Sequence, residues 1–414
     1  MNTLILLLPS ALAGDDFELK PSGFVRPAFV WSADDVDTAA ADKTSGATLL
    51  TDRDGFSVAG RIGATLKYTP LNVVAVVEAD VVPSLTPRDA YIAVKPFEPI
   101  TLTLGQHKVP VSAYALSWDT KRLLPIAPRV VSATGYSRDV GAKIDGRIPV
   151  NGKVLGTLTA GLYNGEGVGK TTNENQEFLY ALRGVVTPMG ARSSWYEGTE
   201  RETYLGLGVS YLSNLKGGET TYTYIAAGGT EPTSLEARNL TGEMSSTIAV
   251  DAQFAWRWLS LQGEYLTTDV SYADTSKTGV KTAGFYAQTG FFIPVDPIGK
   301  HLEFVLRFES SDPNATICET SQGTAVAGCV EENAELGWKD TGSSARPLYQ
   351  AANVITVGAN LYHDAKAKNA HQYKLQLAYS TGMETEGEDL ASDGKISDSM
   401  VVVVGSVAFG AFAG

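Results

Sequence analysis

The chain has 414 residues, of which 43% are hydrophobic, 9% aromatic and 19% charged, and its formal net charge is -13. The aliphatic and aromatic content excludes a disordered chain, and the acidic balance argues against a nucleic-acid partner, because it would repel the phosphate backbone. No stretch reaches the roughly 18 consecutive apolar residues of a membrane-spanning helix, whereas 42 glycines and 18 tyrosines without helical periodicity point to an all-β protein.

At the start of the chain, Leu4–Leu8 is apolar and Ala11-Leu12-Ala13 precedes Gly14-Asp15-Asp16. This reads as the hydrophobic region and A-x-A site of a secretory signal over residues 1–13, leaving 14–414 as the mature protein. Next, Phe56 to Tyr68 alternates. Phe56, Val58, Ile62, Leu66 and Tyr68 share one face, and Ser57, Arg61, Thr65 and Lys67 the other. Successive strand side chains point to opposite faces. A strand crossing a bilayer at a tilt needs about 9–11 residues with aromatics near both ends.

The pattern returns further along. Ile248, Val250, Phe254 and Trp256 oppose Asp251, Gln253 and Arg257. Leu302, Phe304, Leu306 and Phe308 oppose Glu303, Arg307 and Glu309. Tyr373, Leu375, Leu377 and Tyr379 oppose Lys374 and Gln376. Strands are predicted near 22–32, 56–68, 72–82, 88–96, 99–108, 138–147, 154–165, 178–187, 203–213, 247–258, 259–267, 281–292, 300–309, 353–363, 371–380 and 399–409. That is about sixteen, an even number, as a closed bacterial barrel requires. Connections after odd-numbered strands are mostly long (33–55, 109–137, 214–246, 310–352 and 381–398) and the others mostly short. Short turns on one side and longer external loops on the other are what such a barrel shows. The connections 188–202 and 83–87 depart from this parity.

The fold expected is therefore a closed transmembrane antiparallel β-barrel with the third external loop folded inward. That loop, 109–137, gathers Lys121, Arg122 and Arg129 against one acid, Asp119, with Tyr114, Trp118, Leu123, Leu124 and several prolines. An external loop packed inside the pore explains both its apolar and its basic content, and cations in a narrow water-filled channel concentrate anions. By alternation Arg61, Lys67, Lys143, Arg183, Arg257, Arg307 and Lys374 face the lumen, and so do Glu78, Asp80, Asp145, Asp251, Glu264, Glu303 and Glu309. Cys318 and Cys329, close together in a polar stretch, are expected to form a disulfide in an exported protein.

Catalytic signatures are weak. Gly165 to Thr171 suggests a phosphate loop, but the spacing requires glycine where Asn164 stands. His107, His301, His363 and His371 show no metal-ligand spacing, and no serine sits in a G-x-S-x-G elbow. Neither an enzyme nor a metal or organic cofactor is expected.

Gly105-Gln106-His107-Lys108-Val109-Pro110-Val111-Ser112 resembles the G-Q-x-K-x-P-x-S run of the phosphate-selective porin O and P family. Tyr163-Asn164-Gly165, Gly284-Phe285-Tyr286-Ala287-Gln288 and Val357 to Tyr362 are similar to later segments of that family. The resemblance implies a 16-stranded outer-membrane barrel, a homotrimer in lipid. It also implies passive passage of small inorganic or organic anions such as phosphate, with Lys108 as the lysine of the G-Q-x-K run. The mixed lumen charges leave open a general or cation-preferring porin. The loops 214–246 and 310–352 leave open a non-conducting surface-interaction barrel.

Overall fold

A computed structural model describes residues 16–34, 55–133, 138–150, 153–170, 172–173, 177–190, 201–220, 223–224, 233–234, 238–271, 280–295, 298, 301–312, 352–363, 370–384 and 397–410. The signal expected at 1–13 and the cysteine pair Cys318 and Cys329 lie outside the described residues.

Sixteen strands close into one antiparallel barrel. They are β1 Phe17–Asp34, β2 Gly55–Tyr68, β3 Val73–Val82, β4 Thr86–Phe97, β5 Ile100–Lys108, β6 Arg138–Val150, β7 Lys153–Tyr163, β8 Leu179–Met189 and β9 Arg201–Thr220, followed by β12 Arg238–Arg257, β13 Leu259–Ser271, β14 Val280–Phe292, β15 Leu302–Asp312, β16 Ala352–Tyr362, β17 Tyr373–Glu384 and β18 Ser397–Phe409. A two-residue pair, β10 Thr223–Tyr224 with β11 Thr233–Ser234, lies in the connection between β9 and β12. Each strand pairs with its neighbour along the chain, and β1 pairs with β18 to close the ring. No edge of the barrel sheet is left open, which is the condition for a sheet to stand in lipid.

The burial pattern is inverted relative to a soluble sheet. On β15, Phe304, Leu306 and Phe308 are 47%, 48% and 40% exposed, while Glu303, Arg307 and Glu309 are 0%, 0% and 2% exposed. A soluble sandwich buries the apolar face and wets the polar one. Here the polar face is inside and the apolar face outside, as a barrel in a membrane requires. The same alternation runs through β12, β13, β16 and β17.

Two extents differ from the sequence expectation. β1 begins at Phe17, with Phe17 stacked on Tyr68 at 4.6 Å between ring centroids. Pro21, paired with Ala64, obscures that start, because proline within a strand usually marks its end. β9 and β12 run further into the long-loop end than predicted, still paired at Glu219 and Asn239. The sequence there, Lys216 to Thr220 and Arg238 to Glu243, is mostly polar, so alternation carries no signal.

Candidate functional site

The connection between β5 and β6 has little regular structure of its own. Helix α1 (Ala113–Leu116) is capped by Ser112, whose Oγ accepts from Ala115 N at 3.1 Å. A single 3-10 turn spans Asp119–Lys121, and helix α2 (Arg129–Ala133) follows Pro128. Between these pieces Arg122 is extended, with φ -65° and ψ 141°. Extended chain leaves its carbonyls without local partners, and a buried carbonyl needs one.

The barrel wall supplies them. Lys374 Nζ donates to Arg122 O at 2.9 Å, and Gln376 Nε2 to Leu123 O at 3.1 Å. Asn360 Nδ2 donates to Leu123 O at 2.9 Å, and Arg307 Nη1 to Ile126 O at 2.7 Å. Wall carboxylates take the N–H groups. Glu264 accepts from Tyr114 N at 2.5 Å, Ser112 Oγ at 2.6 Å and Tyr286 Oη at 2.8 Å. Glu309 accepts from Arg129 N at 2.7 Å. A hydrogen bond to a charged group contributes roughly 1.5–3 kcal/mol, so this set fixes the segment to the polar face of β13–β17.

Apolar contacts complete the docking. Val111, Tyr114 and Val130 pack with Leu212, Leu266 and Tyr286, and Leu123 and Leu124 with Val305 and Ala378. Ile126 meets Met400, Val402 and Val404, which explains why β18 is apolar on both faces. Close approach requires glycine on the wall: a Cβ at Gly358 would lie 2.8 Å from Leu124 Cδ2.

The opposite wall carries charges that answer one another. Arg61 Nε lies 2.6 Å from Asp80 Oδ1, and Arg88 also pairs with Asp80. Arg138 makes a two-pronged contact with Asp89 at 2.9 and 3.0 Å, and Lys143 lies 2.9 Å from Asp145. Opposite Glu78 and Ala79 of β3, a bulge in β4 leaves Arg88 out of the register. Bulges re-aim side chains, and this one turns both Arg88 and Asp89 inward. The tip of the β5–β6 segment reaches this wall. Asp119 Oδ2 is 3.3 Å from Arg61 Nη2, and Asp119 Oδ1 is 2.8 Å from Arg122 Nη1. Burial pushes the Asp119 carboxyl up, but Arg122, Arg61, Lys108 and Arg26 outweigh it and hold it well below the usual carboxylate range.

The sequence-predicted residues separate by role. Arg307 and Lys374 hold the segment's backbone. Arg183 is buried against Asp251 at 2.7 Å and Ser210 at 2.6 Å. Lys108 donates to Leu116 O and Ser117 O at 3.0 and 2.6 Å and lies 5.3 Å from the Trp118 ring, so it closes the C-terminal end of α1. Lys121 is half-buried on the 3-10 turn, Arg122 pairs with Asp119, and Arg129 begins α2. Lys67 is exposed near the turn end of β2. Arg257 occupies the β12–β13 turn at φ 49°, its guanidinium 5.2 Å from the Trp256 ring. Arg26, Arg88 and Arg138 were not predicted. Arg26 follows the alternation of buried Phe24, which pattern reading could have found; Arg88 depends on the bulge, which it could not.

A family model described as phosphate-selective porin O and P matches residues 58–395. No curated protein matches the chain. Among solved structures, the chain is similar to OmpT expressed in the outer membrane of Vibrio cholerae, at 11% identity and a TM-score of 0.54, over 96% of this chain and 99% of that one. It is also similar to the loop L8 deletion mutant of OmpT of the same organism, at 10% identity and a TM-score of 0.56, over 95% and 100%. A high-pH structure of Pseudomonas putida OprB gives 8% identity and a TM-score of 0.57, over 97% and 96%. At these identities the likeness is one of fold.

Proposed function

The chain belongs to the phosphate-selective porin O and P family and is an outer-membrane porin for passive diffusion, and from that premise we propose that it passes small anions, phosphate-like ones among them, along a path narrowed by the 109–137 segment. The segment is the inward-folded external loop. The passage runs beside the point where Asp119 meets Arg61, between Lys121 and Arg122 of the segment and the β3–β6 wall. Lys121, Arg122, Arg61, Arg26 and Arg88 supply the positive field there, and Arg129 stands at the segment's far end. Three such barrels assemble in the outer membrane.

The observation that carries this reading is an asymmetry in exposure. Charged groups on the β13–β17 wall are dry, whereas Arg88 and Asp80 are 30% and 16% exposed, Lys143 and Asp145 24% and 29%, and Arg122 21%. Water reaches these groups, though not Arg61, Asp89 and Arg138 beside them, and it reaches none of Glu264, Arg307, Glu309 and Lys374; ions follow water. A second reading, a weakly selective general porin, is favoured by the acid beside most cations of that path.

Reversal potential in a salt gradient tests the proposal. Anion preference in the wild type, with chloride current blocked by phosphate, is expected. A cation-side reversal potential without phosphate block leaves the general porin. Conversion of Lys121 to Glu should lower anion preference; an unchanged value would put the segment outside the path.

A further inference from the structure

Asp119 is surrounded by cations from separate parts of the barrel. Each of its oxygens meets a different guanidinium, Arg122 at 2.8 Å and Arg61 at 3.3 Å. Arg26 on β1 and Lys108 on β5 add their charge to the same carboxylate. Arg26 Nε is buried and has no hydrogen-bond partner among the described residues. Planar guanidinium groups on both oxygens of a carboxylate form the arrangement with which proteins bind free carboxylates.

A structural ion pair would be the plainer account, but Arg61 already has one. Its Nε lies 2.6 Å from Asp80 Oδ1, a tighter contact than the 3.3 Å to Asp119. Asp119 is also the wetter partner, 25% exposed against 16% for Asp80. Of the two carboxylates that contact Arg61 at 2.6 and 3.3 Å, Asp119 is therefore the exchangeable one. It is carried at the tip of a segment whose backbone is fixed elsewhere, so it can leave the cluster without undocking the segment.

We infer that Asp119 is a tethered occupant of a carboxylate site formed by Arg61 and Arg122 with Arg26 beside them, and that small organic acid anions compete with it for this site. The inference rests on the anion-passing reading above and names a solute class for it. Asp119 sets how tightly such an anion is held, because a tethered competitor acts at an effective concentration of the order of millimolar.

The test uses the full-length porin in planar bilayers, with succinate as probe. In Asp119→Asn, succinate is expected to block chloride current at a concentration about tenfold lower than in wild type, since its competitor is gone. Chloride preference over potassium is expected to rise as well. Arg122→Gln, in an otherwise wild-type channel, should weaken the succinate block. An Asp119→Asn channel with wild-type succinate block overturns the inference, as does a uniform conductance increase with unchanged selectivity, which would mean that Asp119 only pins the segment. Phosphate block strengthened as much as succinate block overturns the carboxylate assignment. Should Asp119→Asn fail to fold, an Arg122→Gln channel with unchanged succinate block overturns it equally. A cation-side reversal potential in the wild type counts against the anion-passing reading instead, and the succinate comparison still decides the site.

Discussion

The β13–β17 wall and the β2–β6 wall obey the same alternation and use it differently. On the first, Glu264, Arg307, Glu309 and Lys374 point inward and find backbone groups of the β5–β6 segment. On the second, Arg61, Arg88, Arg138 and Lys143 point inward and find carboxylates of the same wall, on the adjacent strand for Arg61 and Arg88, two strands away for Arg138 and on its own strand for Lys143. Inward charge is a requirement of a water-filled barrel. Whether it anchors or lines depends on what lies opposite. The first, dry wall holds the segment in place, and the second, wetter wall keeps Arg88, Lys143 and Asp145 partly exposed.

The strongest way to break this division is to remove an anchor. Glu264→Ala leaves three donors, Ser112 Oγ, Tyr114 N and Tyr286 Oη, without their acceptor. A buried unsatisfied group costs about 1–3 kcal/mol, so a loss of several kcal/mol is expected. Thermal unfolding in detergent should fall markedly and single-channel conductance should rise as the segment loosens. Asp145→Ala on the wet wall removes a partly exposed pair, worth about 0–1 kcal/mol, and one acceptor of the Thr159 hydroxyl, and should lower unfolding far less than Glu264→Ala. Equal losses in the two variants would erase the distinction.

Charge reversal at the segment's edge comes next. Arg122 is held through its carbonyl by Lys374, so changing its side chain leaves that anchor intact. Unit charges about 4 Å apart interact by about 4 kcal/mol at an effective dielectric of 20. Arg122→Glu should therefore lower anion preference by at least about tenfold in reversal-potential measurements. Lys374→Met, on the dry wall, should reduce stability and leave selectivity alone.

A smaller effect is expected from the wall glycines. Gly358→Ala puts a methyl 2.8 Å from Leu124 Cδ2 and 2.9 Å from Leu377 O. Overpacking of this kind costs about 1–3 kcal/mol, read as a lower unfolding temperature. Gly146→Ala has nothing nearer than Ile100 Cδ1 at 3.7 Å and should be silent.

These contrasts also mark how far the sequence could be read. Phe304 and Phe308 against Glu303 and Arg307 place a strand and name its wet side, because two solvents on two faces leave a period of two. The barrel strands other than β18, which is apolar on both faces, were legible in that way, and so, apart from 83–87 and 188–202, was the parity of their connections. The division of labour inside was not. Lys374 meets a carbonyl 252 residues away, and nothing near Lys374 in the chain encodes that partner. Lys108, conspicuous as the lysine of a family run, closes a helix end of one turn, a role that depends on how the segment folds back. Arg88 enters the lumen because of a bulge, which shifts the period locally and so defeats pattern reading.

The finest test of the comparison is the acid response of Asp119, the one carboxylate that the segment presents to the wet wall's arginines. Its folded pKa lies below the ordinary aspartate value of 3.8, because Arg122 and Arg61 outweigh its burial. A depressed carboxyl contributes stability that is present above the unfolded pKa and lost as pH falls through the folded one. The difference in anion preference between wild type and Asp119→Asn reads the charge carried by this one side chain. That difference in anion preference should hold constant from neutral pH down to about pH 4. It should shrink only at lower pH, where a protonated Asp119 becomes a neutral group like asparagine. A difference that already closes near the ordinary aspartate value would mean that Arg61 and Arg122 do not grip this carboxylate, and that the wet wall is less positive than its arginines suggest.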